Sequence, residues 1–131
     1  MVSEQFVREQ FASWELDNPI PFFDSLPEKF SLTVAGAINP LKGVYTSKEQ
    51  CLQAYGQLMM KLASPPVCKI LNVIVSGDYA AVEMTTQEVT KSGKTYDELM
   101  CFVGRYEGES LVEMRMYADT AVEKEILEDT S

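Results

Sequence analysis

Histidine is absent from the 131 residues. Without imidazole, the chain has no access to a histidine base, a histidine-activated nucleophile or a histidine metal ligand. Cysteine is scarce as well. Cys51, Cys68 and Cys101 stand far apart, without the close pairs of a zinc site or a disulfide scaffold, and they read as small buried hydrophobes. Positive charge is in deficit, with 11 Lys and Arg against 20 Asp and Glu and a net charge of −9. Such a field repels phosphate backbones and anionic headgroups, so neither nucleic acid nor a membrane is expected as a partner. No stretch approaches about 18 consecutive apolar residues. The opening MVSEQFVREQ lacks the basic patch and apolar run of a secretory signal, and the expected location is cytoplasmic. The glycine-rich phosphate loops and the GxSxG nucleophile elbow are missing too, so no cofactor is expected. No metal is expected either, because Glu4, Glu9, Glu123 and Glu125 read as ordinary surface carboxylates.

What is present describes a globular chain. Apolar residues make up 46% and charged residues 24%, enough for one core, and residues 1–131 are expected to form a single domain. Phe6, Val7, Phe11 and Trp14 fall near one side of a helix over residues 2–17. Phe22, Phe23 and Leu26 suggest a short second helix between prolines, and residues 30–35 a short strand. Thr46 with Glu49, or Ser47 with Gln50, has capping-box spacing and opens a third helix. Its expected buried stripe is Leu52, Tyr55, Leu58, Met59 and Leu62. Beyond Pro66 four strands follow, over about 67–75, 79–89, 95–107 and 110–119, joined by short turns. Gly104 interrupts the third of these, as a bulge or a close approach. The tail reads as a short amphipathic helix with Val122, Ile126 and Leu127 inward and its acids in solvent. Helices followed by an antiparallel sheet make the class α+β.

Candidate chemistry is concentrated in the last two strands. Period two puts Glu113, Arg115, Tyr117 and Asp119 on one face and Val112, Met114, Met116 and Ala118 on the other. Glu113 and Arg115 can pair on an exposed surface, and Asp119 can cap the tail helix; alternatively, Tyr117 and Asp119 line a cavity between sheet and helices. On the preceding strand Tyr96, Glu98, Met100 and Phe102 share one face and Asp97, Leu99, Cys101 and Val103 the other, so one of the neighbouring acids Asp97 and Glu98 can face a cavity. A carboxyl in apolar surroundings has a raised pKa and can exchange protons with a carbon acid, while a tyrosine hydroxyl can donate to the developing oxyanion.

The runs WELDNPIPFFDSLPEKFSLTVAG, NPLKGVYTSKEQC and KTYDELMCFVGRYEGESLVEMRMYADT resemble, in order and over nearly the whole chain, the SnoaL-like branch of the nuclear transport factor 2-like (NTF2-like) superfamily. The resemblance implies a cone of three N-terminal helices against a strongly curved, mixed but largely antiparallel sheet, with a hydrophobic pocket inside and frequent homodimers. It matches Asp119 to a terminal-strand carboxylate that acts as acid or base in polyketide cyclases, and Arg115 to an arginine four residues earlier. The hydrolase-like triad of the superfamily is broken here, because Thr85 and Thr86 stand in its earlier strand. The ketosteroid isomerase base position falls near Gly36 or Ala37, and a pocket histidine position falls at Cys101. Asp97 stands where related chains often carry Asn.

The expectation is a pocket for a small, mostly apolar organic molecule, walled by Trp14, Phe23, Tyr45, Tyr55, Leu58, Met59, Met100, Cys101 and Phe102. Asp119, with Tyr117, Arg115 and Asp97, forms the candidate catalytic set. Isomerase- or cyclase-like proton transfer next to a carbonyl is the leading reading. Ligand binding without chemistry, or a dimeric interaction role through Val112, Met114 and Met116, is the alternative.

Overall fold

The Ser3 hydroxyl opens the first helix, accepting from the Phe6 N–H at 3.1 Å. In this computed structural model, which describes residues 1–16, 18–37 and 39–129, α1 covers Glu4–Phe11 and a 3-10 turn covers Ala12–Glu15. The helix expected over 2–17 is therefore divided, and its last residue, Asp17, lies outside the described residues. Three residues per turn stack positions i and i+3, so the tightened turn carries Trp14 to the side that Phe11 already buries. Helix α2 (Ile20–Asp24) has Pro21 in its first turn, where a missing N–H costs nothing, and it buries Phe22 and Phe23. Helix α3 (Lys48–Met59) takes the Ser47 register, with the Ser47 hydroxyl accepting from the Gln50 N–H at 3.2 Å.

Six strands form one sheet: β1 (Ser31–Val34), β2 (Gly43–Tyr45), β3 (Cys68–Ser76), β4 (Tyr79–Val89), β5 (Thr95–Glu107) and β6 (Ser110–Tyr117). Their order is β2-β1-β6-β5-β4-β3. Only β1 and β6 run parallel; all other neighbours are antiparallel. Strand β2 is an element the sequence pattern does not announce, because three residues in a turn-rich stretch show no alternation. Its existence rests on the ladder it makes with β1, Leu32 opposite Tyr45. A fourth helix, α4 (Thr120–Glu128), follows β6 directly. The core lies between α1 to α3 and the inner face of the sheet, where Phe22, Val82, Met84, Tyr106 and Leu111 are almost fully buried.

Gly104 marks a close approach. A Cβ there would stand 2.7 Å from Leu111 Cδ1, and Leu111 is completely buried and has no room to withdraw. Gly104→Ala is expected to destabilise the fold by about 1–3 kcal/mol through overpacking, read as a lower urea midpoint; an unchanged midpoint would contradict this packing. Gly36 is constrained at the other end of the sheet by a positive φ of 118° and by Thr120, whose methyl group occupies the space a Cβ would need. That contact seats the start of α4 on the loop after β1.

Candidate functional site

A cavity of about 110 Å³ lies between the helices and the inner face of the sheet. Its walls are almost wholly apolar. Trp14, Phe22 and Phe23 come from the N-terminal segment, Cys51, Tyr55, Leu58 and Met59 from α3, and Met84, Met100, Phe102, Met114 and Met116 from the strands. The alternation of β4 and β5 determines which strand residues face inward: on β4 these are Ala80, Val82, Met84, Thr86 and Glu88, and on β5 Glu98, Met100, Phe102, Gly104 and Tyr106. Thr86 is directly opposite Glu98, and Glu88 opposite Tyr96. Glu88 and Glu98 are thus diagonal neighbours on one face, a spacing that long side chains bridge.

Glu123 of α4 joins them from above the sheet. Glu88, Glu98 and Glu123 are each only 2% exposed, and all three line the cavity. Asn39, itself buried, donates Nδ2–H to Glu123 Oε1 at 3.0 Å, while its own Oδ1 accepts from the Leu41 N–H at 2.9 Å. Neither oxygen of Glu88 receives a hydrogen bond from an N–H or hydroxyl group, and Glu98 Oε2 receives none either. What they have is each other: the Glu98 carboxyl lies within hydrogen-bonding reach of Glu88 on one side and Glu123 on the other. Among the described residues no lysine or arginine lines the cavity.

Burial penalises the ionised forms of these acids. Desolvation first, then the hydrogen bond to Glu88 and the negative charges of Glu123, Glu88 and Asp119, push Glu98 far above the ordinary carboxyl range. Glu123 is raised as well, again chiefly by burial, with the Asn39 hydrogen bond opposing the rise. Buried carboxyls without cations cannot all ionise together, so a proton bridging Glu98 to a neighbour satisfies both oxygens at once. Other unmet polar groups face the same space. Tyr55 OH and Trp14 Nε1 find no partner, and burial, followed by the charges of Cys68 and Glu88, pushes the Tyr55 phenol to about 12. Trp14, Phe23 and Tyr55 form an aromatic corner with ring centroids 5.6 to 5.8 Å apart.

Of the residues singled out in the sequence, Trp14, Phe23, Tyr55, Leu58, Met59, Met100 and Phe102 line this cavity. Tyr45 instead packs against the edge of the core, its hydroxyl donating to the Leu41 carbonyl at 2.5 Å. Cys101, Tyr117 and Asp119 border a separate open groove with Glu83 and Leu99: Leu99 and Cys101 lie on the outer side of β5, and beyond the register shift at Arg105 and Tyr106 the end of β6 turns Tyr117 the same way. Asp119 caps α4, accepting from the Val122 N–H at 3.3 Å. Arg115 is exposed, and Glu113 is 3.8 Å from Arg105 instead. Asp97 is exposed and accepts from Gln87 Nε2 at 3.2 Å. Met114 and Met116 line the cavity, and Val112 is half-buried.

The acids Glu88 and Glu123 are not candidates in the sequence reading, which sets Glu123 in solvent. The signal for Glu88 is its place in the run Ala80, Val82, Met84, Thr86, Glu88, an acid on the face that carries the apolar residues. Glu123 has a weaker signal, three residues before the buried Ile126 and hence on the same side of α4. Among the described residues no cluster of acids and cysteines has the arrangement of a metal site, and no helix is long and apolar enough to cross a membrane.

No protein-family model matches the sequence, and no curated protein matches it. Solved structures do. An NTF2-like protein of unknown function from Burkholderia pseudomallei superposes with a TM-score of 0.81 at 18% identity, over 98% of this chain and 100% of the other. A provisionally assigned SnoaL-like polyketide cyclase from Jannaschia aligns with a TM-score of 0.74 at 18% identity, over 95% and 91%. A protein of ketosteroid isomerase-like fold from Catenulispora acidiphila, in complex with trimethylamine, aligns with a TM-score of 0.70 at 15% identity, over 88% and 86%. The chain has the NTF2-like fold, an α+β roll with a six-stranded mixed sheet.

Proposed function

We propose that this is a small-molecule pocket protein that moves a proton on a mostly apolar, carbonyl-containing compound, in the manner of an isomerase or cyclase. The observation that carries the reading is a cluster of three buried carboxyls in an otherwise apolar cavity, with fewer donors than oxygens. Proton exchange with carbon acids needs a base held near neutral pKa and donors for the developing oxyanion. In this reading the ionised member of the Glu88–Glu98 pair takes the proton from the carbon next to the carbonyl. The C–H electrons move into the enolate, whose oxygen accepts from Tyr55 OH or Trp14 Nε1, and the proton returns to carbon. No electron is gained or lost overall. At about 110 Å³ the cavity is smaller than the apolar cavity of about 150 Å³ that admits benzene, which argues for a substrate no larger than one ring.

The sequence candidate Asp119 enters differently: it acts on the cluster through its charge and as the cap of α4, not as the group that meets the substrate. Arg115, Tyr117 and Asp97 belong with it on the outer face. That face, where Leu99 and Tyr117 are exposed, is the surface we assign to a homodimer. The experiment is hydrogen exchange of a monocyclic ketone such as cyclohexanone in D₂O, followed by proton NMR. Acceleration over buffer that scales with protein concentration supports proton transfer. Saturable binding without acceleration would leave the protein as a ligand-binding module of the same fold.

A further inference from the structure

We propose that the cavity takes a ligand bearing a cationic nitrogen, a protonated amine whose ammonium group lies against Glu88 and Glu98 and whose apolar body fills the space toward Trp14, Phe23 and Tyr55. The proposal rests on reading the cavity as a ligand site, and it names the ligand class for that site.

Glu88, only 2% exposed, lines the cavity, and neither of its oxygens has an N–H or hydroxyl donor among the described residues. Glu98, equally buried, leaves Oε2 unmet. Only Glu123 has a fixed donor, in Asn39. One proton shared along the cluster covers part of the deficit; the remaining charge has no counterion among the described residues, where no lysine or arginine lines the cavity, and the chain has no histidine. Buried anions in proteins are paired or neutralised. Here the missing group is a donor that carries positive charge, and a protonated amine supplies both.

The rest of the wall suits the same ligand. Trp14, Phe23 and Tyr55 crowd one another with centroids 5.6 to 5.8 Å apart; grouped aromatic rings are the surroundings in which ammonium ions are held through the ring quadrupole. Met59, Met84 and Met100 add polarizable apolar surface for the body of the molecule. A neutral ligand without a donor would leave Glu88 unmatched, one with a donor would leave its charge uncompensated, and an anion would meet the cluster's own charge. A cationic nitrogen also acidifies neighbouring C–H bonds, so the ligand class is compatible with the proton-transfer reading without depending on it.

Among the described residues, the titratable groups whose charges act on Glu88 and Glu98 are Glu123 from α4, Tyr55 from α3, Cys68 from β3 and, from the outer groove, Asp119. None supplies a positive charge.

The test uses isothermal titration calorimetry of the whole protein at pH 7 with two monocyclic probes of similar size, N-methylpiperidinium chloride and cyclohexanone. The cation is expected to bind at least about tenfold more tightly than the ketone, consistent with a desolvated ring and carboxylate environment. Glu88→Gln and, separately, Glu98→Gln are expected to remove that preference while ketone binding persists, and thermal unfolding of each variant reports whether it is folded. A ketone that binds as tightly as the cation in the unaltered protein would overturn this inference and leave the proton-transfer reading in place. A cation preference unchanged in both folded variants would also overturn it, placing the binding on the acidic exterior. Binding of neither probe would remove the ligand site itself, and both readings with it.

Discussion

Glu88→Gln is expected to slow protein-catalysed exchange of ketone α-hydrogens by about 10²–10⁴-fold, the usual contribution of a positioned general base. The amide keeps the shape and the diagonal relation to Glu98 but cannot take a proton. Glu98→Gln should cost a comparable factor if its proton holds Glu88 in place, because an amide N–H can reproduce the hydrogen bond but cannot relay the proton. The informative contrast is Asp119→Asn. Asparagine caps a helix as well as aspartate does, so α4 stays seated while the carboxylate is lost. Asp119 is exposed and lies at the outer groove; its variant should retain exchange to within a few-fold. Rates measured by proton NMR on the three variants decide between the inner acids and the terminal-strand acid. Collapse of exchange in Asp119→Asn alone would return the base to Asp119.

The second large effect concerns stability against pH. A carboxyl whose folded pKa is raised binds a proton in the native state at pH values where the unfolded chain, with Glu near 4.3, has released it. Unfolding then releases protons, and the linkage makes stability fall as pH rises. The contribution from Glu98 and Glu123 is therefore complete below about pH 4.3, declines from there through neutrality, and is lost once pH passes the folded-state values. Burial is the principal cause for both residues. Glu98→Gln removes the most strongly shifted group without opening a cavity. Its unfolding free energy should exceed that of the natural chain by about 2–4 kcal/mol at pH 8 and differ little at pH 4, given that each pKa unit is worth about 1.4 kcal/mol. Comparing the two proteins cancels the general self-repulsion of a chain with net charge −9. Urea titrations at both pH values measure it. A pH-independent difference would mean that Glu98 is not held protonated.

Much of the architecture was legible because it is written in short-range patterns. The four long strands after Pro66 alternate or run apolar between polar turns, and β3 to β6 follow those runs within a few residues. Ser47 announces α3 through its hydroxyl, and Gly104 marks the close approach of Leu111. Strand β2 was not legible because three residues in a turn-rich stretch show no alternation, and its support is the ladder it makes with β1. The break between α1 and the 3-10 turn was hidden for a related reason: Phe11 and Trp14 share a face under either geometry.

The site divided along the same line. Aromatic and aliphatic wall residues follow from periodicity, and Trp14, Phe23, Tyr55 and Phe102 take their places in the cavity. The charged groups do not follow from it, since an acid on a helix or strand reads as solvent-facing unless its neighbours are known. Glu98 was visible as one of two acids facing opposite ways. Glu123 lies inward beside Ile126 on α4 and is met there by Asn39, on a loop far away in sequence. Asp119 and Tyr117 ended a strand whose polar face turned outward, which a two-residue period alone does not decide.

Infrared difference spectroscopy of the carboxyl stretch tests the central claim most directly, because it reads protonation inside the folded protein without a substrate. At pH 7 a protonated-carboxyl band is expected in the natural chain, shifting on exchange into D₂O and weakening in Glu98→Gln to the part that Glu123, raised to about 7, retains. A spectrum showing every carboxyl ionised at that pH, unchanged by the substitution, would contradict a proton shared among Glu88, Glu98 and Glu123.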